Sequence, residues 1–90
     1  MRIRFCDSCV EECTDVAFME TSWRDGDSSI WKKDIFLQID NNPDGPDGKV
    51  NLNAFESYEE GLNWAKGVCD HLMTEGYYDF RNVGDKLILY

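Results

Sequence analysis

The segment Cys6-Asp7-Ser8-Cys9-Val10-Glu11-Glu12-Cys13 holds three of the chain's four cysteines, spaced C-x2-C-x3-C. Zinc takes up soft, deprotonated sulfur, and a C-x2-C pair supplies two ligands from one turn. Cys13 would add a third. A fourth would come from the distant stretch Cys69-Asp70-His71. Cys6, Cys9, Cys13 and Cys69 therefore form a candidate metal set, with His71 as another fourth ligand. Structural zinc sites usually show a second paired knuckle, and none follows here. Ordinary reduced thiols are the competing reading, and a disulfide or redox pair is a third. A thioredoxin-like motif is poorly matched, because Asp7, Glu11 and Glu12 stand around the cysteines and nearby acids disfavour a thiolate.

A second chemical candidate is Asp40-Asn41-Asn42-Pro43-Asp44-Gly45, which repeats the D-x-N-x-D-G opening of a calcium loop. The continuation departs from that pattern. Asp47 stands where an apolar residue belongs, and Asn51 where the bidentate glutamate belongs. A solvated turn of Asn, Asp, Gly and Pro is the expected state. His71 is the only histidine. On a helix it would not face Cys69, two residues earlier. There is no nucleophile elbow, phosphate-binding loop or dinucleotide fingerprint. The expectation is a chain without catalytic activity and without a cofactor, zinc being the alternative.

Charge carries more information. The chain has 18 acids, 9 bases and a formal charge of -9. Such a field repels nucleic acid and anionic membrane and favours basic protein surfaces. The bases are scattered along the sequence, and only Lys32 and Lys33 are adjacent. No concentrated footprint for phosphate is expected, so direct nucleic-acid binding is not. The acids fall in two groups. Asp7, Glu11, Glu12, Asp15, Glu20, Asp25 and Asp27 are opposed only by Arg2, Arg4 and Arg24. Asp40, Asp44, Asp47, Glu56, Glu59 and Glu60 are opposed only by Lys49. On one face these acids would mimic a run of phosphates. Apart from Glu20 they are the candidate partner-binding residues, joined by Trp64 as an aromatic anchor at the edge of a helix. The bland alternative is a solvated surface that keeps a small domain soluble.

The elements must position these groups. Ninety residues suffice for a single domain. Residues 2–6 alternate as a short strand, with Ile3 and Phe5 on one face. Residues 9–13 read as a turn or one helical turn. Residues 14–23 read as a strand with apolar side chains on both faces, which is the pattern of a strand that is central or covered on both sides. Arg24 and the Asp25-Gly26 step open a hairpin turn. Residues 30–40 return, with Ile35, Leu37 and Ile39 facing the core. Residues 41–48 form a loop, and residues 50–53 a brief strand.

Tyr58, Leu62, Ala65, Cys69 and Leu72 recur at helical spacing. Ser57 and Glu60 form a capping box, and Gly76 is the stop. Gly67 is expected to let a strand approach the helix. Residues 77–82 and 86–90 read as a closing hairpin about Val83-Gly84-Asp85. The predicted class is α+β: an antiparallel sheet of four to five strands, with one amphipathic helix (about 57–75) packed on one face.

The profile of size, charge and sheet-plus-one-helix order resembles that of small acidic phage-type anti-defence proteins, including anti-CRISPR inhibitors and DNA mimics. The likeness covers that profile and no particular residue. It implies stoichiometric binding to a host effector complex, in place of nucleic acid or against its moving parts. With no export signal and no apolar span, the expected location is cytoplasmic and off the membrane. The expected function is that of a non-enzymatic acidic inhibitor. It would bind a basic surface of a nucleic-acid-handling host-defence complex and compete with nucleic acid. A zinc-stabilised structural or adaptor module is the alternative.

Overall fold

The computed structural model describes residues 1–24, 26, 31–39 and 47–89. In chain order its elements are β1 (Arg2–Cys6), β2 (Cys9–Glu12), β3 (Val16–Arg24), β4 (Trp31–Ile39), β5 (Gly48–Val50), α1 (Tyr58–Glu75), β6 (Tyr77–Asp79) and β7 (Leu87–Leu89). Short 3-10 turns cover Leu52–Ala54, Phe80–Asn82 and Gly84–Lys86. The strands divide between two sheets. β3-β4-β5-β7 is antiparallel throughout, and β2-β1-β6 is mixed, with β6 parallel to β1. The helix lies against β3 and β4 of the larger sheet and against β6 of the smaller one. The class is α+β, with a four-stranded antiparallel sheet and one helix packed against it.

The returning strand behaves as its alternation requires. Ile35, Leu37 and Ile39 are buried with Ile3, Val16, Val50, Ala65, Val68, Leu72 and Phe80 in one core. The Asp-Gly hairpin lies outside the described residues apart from Gly26. The strands it would join pair from Val16↔Ile39 to Arg24↔Trp31 without a bulge. β3 differs from expectation. It is the outer strand of its sheet. The face that carries Ala17, Met19 and Trp23 is only partly covered, and Trp23 remains 40% exposed.

Three further expectations are corrected. Residues 9–12 form an edge strand rather than a turn or a helical turn, because β1 offers them an antiparallel partner from Arg2↔Glu12 to Cys6↔Cys9. The brief strand lies at Gly48–Val50, and the chain then tightens into a 3-10 turn capped by Asn51, whose side chain accepts from the Asn53 N–H. The closing hairpin does not form. Residues 77–79 are taken by β1, and Leu87 pairs with Val50. The two 3-10 turns span the distance between the two sheets, the first of them capped by Asp79.

The helix starts and stops where expected. Ser57 Oγ accepts from the Glu60 N–H at 3.2 Å, and Gly76 closes the last turn at φ 71°. The reciprocal bond is displaced by one residue: Glu60 Oε2 accepts from the Glu56 N–H at 3.2 Å. The close-approach glycine is Gly61, not Gly67. A Cβ at Gly61 would sit 2.7 Å from Leu52 Cδ2, whereas one at Gly67 would meet nothing within 4 Å.

Candidate functional site

The cysteine segment is a hairpin. β1 and β2 meet across the two-residue turn Asp7-Ser8, and the facing Cys6 and Cys9 are joined by a disulfide. Cys13 and Cys69 lie apart from that turn, buried in the core. Sulfurs bonded to each other are not thiolate ligands. Among the described residues no group of three or more His, Cys, Asp or Glu side chains converges as a metal site. In this structure Cys6 and Cys9 are bonded to each other, and Cys13 and Cys69 do not converge on them. Burial, and secondarily the charge of Asp70, pushes the Cys69 thiol up to about 11.

The disulfide closes a ring of very few residues, so it restricts the unfolded chain little. Reduction is expected to lower stability by no more than about 2 kcal/mol and to leave the fold intact. Urea unfolding with and without a phosphine reductant checks this. Loss of the fold on reduction would contradict it. Under native conditions Cys69 is expected to resist alkylation until denaturant is added.

The acids beside the hairpin are partly neutralised. Arg81 Nη1 is 2.5 Å from Asp7 Oδ1, and its Nη2 is 2.6 Å from Asp79 Oδ2. Hydrogen bonding from Arg81 is the main reason the Asp79 carboxyl is held down at about 2. Glu12 meets Arg2 at 3.5 Å, with both side chains well exposed, a pairing worth little in water. Glu11 lies exposed on the same edge strand. Asp15 accepts from the Val16 N–H. Asp47 accepts from the Ile39 N–H, so it holds the end of β4. Asp25, Asp27, Asp40 and Asp44 lie outside the described residues, as does most of the calcium-like loop.

The second acidic group gathers at the start of α1. Glu56, Glu59 and Glu60 are exposed there. Negative charge near a helix N-terminus is favoured by the helix dipole. Glu20 joins them from β3, because Tyr58 Oη donates to Glu20 Oε2 at 2.5 Å. Burial, then this bond and the Glu20 charge, push the Tyr58 hydroxyl up to about 12. Among the described residues no lysine or arginine pairs with Glu20, Glu56, Glu59 or Glu60. Lys33 borders this patch, with Nζ 5.2 Å from the Tyr58 ring centroid. Trp64 is half-buried, its ring 5.8 Å from that of Phe55.

Among the described acids, Glu11 and Glu12 lie apart from Glu59 and Glu60. The Arg2 N–H donates to the Gly76 carbonyl at 2.8 Å, and Arg2 pairs with Glu12. Glu11 and Glu12 therefore lie towards the last turn of α1. Glu59 and Glu60 occupy its first turn, about 24 Å away along the axis at 1.5 Å per residue.

A feature the sequence reading missed lies on the larger sheet. The distant Lys49 is brought there beside the adjacent pair Lys32 and Lys33. A groove of about 410 Å³ is lined by residues that include Trp23, Lys32, Lys33, Asp34, Lys49 and Ile88. Lys32 Nζ stands 5.1 Å from the Trp23 ring centroid. Asp34 accepts from Trp23 Nε1 at 3.0 Å and pairs with Lys49 at 3.2 Å. The β3–β4 register was the signal that could have found part of it, since it sets Trp23 opposite Lys32.

The fold and surface define an α+β chain with an acidic helix start and a separate lysine-flanked groove. Comparison with protein families, curated proteins and solved structures finds no match to this chain.

Proposed function

We propose that the chain is a non-enzymatic acidic interaction protein. It acts as an inhibitor that occupies a basic surface of a nucleic-acid-handling complex, of the host-defence kind that anti-CRISPR proteins oppose, and competes there with nucleic acid. The observation that supports this reading is the patch at the start of α1. Glu20 is tied from a different strand to Tyr58 in the first turn of α1, which Glu56, Glu59 and Glu60 surround in sequence, and among the described residues no lysine or arginine forms an ion pair with any of the four. Carboxylates without a basic partner keep their negative charge uncompensated. A basic groove that has shed its nucleic acid is a complementary surface. Glu11 and Glu12 offer a second contact at the far end of the helix.

The test is competition with a labelled oligonucleotide on a basic nucleic-acid-handling complex that the protein inhibits. Glu60 has a structural bond, so the informative variant is the pair Glu56→Lys and Glu59→Lys. Inhibition is expected to weaken about a hundredfold, with a shallower salt dependence, because two charges change sign at one contact. Unchanged inhibition by a folded double variant would sink the reading.

A further inference from the structure

We propose that the groove beside β4 is a docking site for an acidic, extended polypeptide segment, which adds to the larger sheet as a short strand. The inference does not rest on the acidic helix start. It begins with the lengths of two neighbouring strands. β4 runs over nine residues and β5 over three, and they pair only at Phe36↔Lys49 and Leu37↔Gly48. The Leu37 carbonyl accepts from the Asp47 N–H, and the Ile39 N–H donates to the Asp47 side chain. Odd-numbered residues of β4 therefore direct their backbone groups to the β5 side. Strand alternation sends the N–H and C=O of Trp31 and Lys33 the same way. Among the described residues no strand meets them, because the chain leaves the sheet after Val50 and tightens at Leu52–Ala54. The groove is the notch this leaves.

An open strand edge is a template for main-chain pairing. The surroundings select the occupant. Lys32 and Lys49 flank the notch, and Lys33 stands behind it with its ammonium over Tyr58. Among the described lining residues the one carboxylate, that of Asp34, is already held by Lys49 and Trp23. Trp23 and Ile88, 40% and 49% exposed, give the alternate side chains of an incoming strand apolar ground. At physiological salt the screening length is about 8 Å, so the distant acids count for less than lysines in contact. A peptide fits better than a nucleic acid, because the notch offers backbone amides and carbonyls while the phosphate footprint is small.

The experiment uses the whole chain with a fluorescein-labelled peptide of alternating Glu and Val. Three comparison probes are run: the Lys and Val counterpart, the Glu and Val peptide methylated on alternate backbone nitrogens, and a single-stranded oligonucleotide of equal charge. Anisotropy and amide chemical shifts are read together. Saturable binding of the Glu and Val peptide, with shifts at Trp31 and Lys33, is expected. Lys49→Glu should weaken it about tenfold. Lys33→Pro should abolish it and leave the β3 ladder intact, as a proline on an open edge does. Should that variant not fold, the methylated peptide tests the same hydrogen bonds. Equal binding of the methylated peptide, preference for the oligonucleotide, self-association of the chain through this edge, or no binding at millimolar peptide would each overturn the proposal.

Discussion

Replacing Leu72 with alanine is expected to lower the unfolding free energy by about 3 to 4 kcal/mol. Leu72 is fully buried in the last turns of α1, at the level where β1 and β6 begin. The helix there packs against both sheets, so neither can move in to fill the space without leaving the other. A truncated side chain loses its transfer energy, and the cavity it leaves costs more. Small domains hold only about 5 to 10 kcal/mol in total, so the variant is expected to keep roughly half its stability. Urea unfolding followed by tryptophan fluorescence measures this. The neighbour Met73 is 72% exposed, and Met73→Ala is the control, expected to stay within about 0.5 kcal/mol. Equal effects at the two positions would show that the helix is not wedged between the sheets.

Gly61→Val is expected to cost about 3 kcal/mol, the upper end for overpacking. Its Cβ would fall 2.7 Å from Leu52 Cδ2, and Phe55 and Ile35 stand behind at 3.5 and 3.8 Å. Leu52 can rotate away from one methyl group but not from a branched side chain backed by Phe55. Gly67→Ala is expected to do the reverse. Its site is open, so only helix propensity changes, and the gain is about 1 kcal/mol. Thermal melts of the two variants check the pair. A stabilising Gly61→Val would mean that the turn at Leu52–Ala54 yields freely.

Much of the fold was legible in local pattern. Alternation placed Ile35, Leu37 and Ile39 in the core, and helical spacing with Ser57 and Gly76 set the limits of α1. What was not legible depended on partners distant in sequence. Cys9–Glu12 reads as a turn until β1 lies beside it. Residues 77–82 read as half of a hairpin because nothing local reveals that β1, at the far end of the chain, claims them. Spacing could not tell Gly61 from Gly67, since only the neighbour at Leu52 distinguishes them. The acidic groups were visible as sequence clusters, but their grouping was not. Glu20 left the first cluster for the second through a single tyrosine bond. The groove was invisible for the same reason, as its lysines converge only once β4 and β5 pair.

The parallel pairing of β1 with β6 has a kinetic side. Arg2 faces Tyr77, so β1 finds this partner only after all the residues between them have been made. The entropy of closing so long a loop grows slowly with length, but it must be met before the contact gives anything back. The β3–β4 ladder needs no such wait. The β3–β4 and β1–β2 pairings can therefore form while β6 is still to come, and the β1–β6 pairing closes as a later clasp.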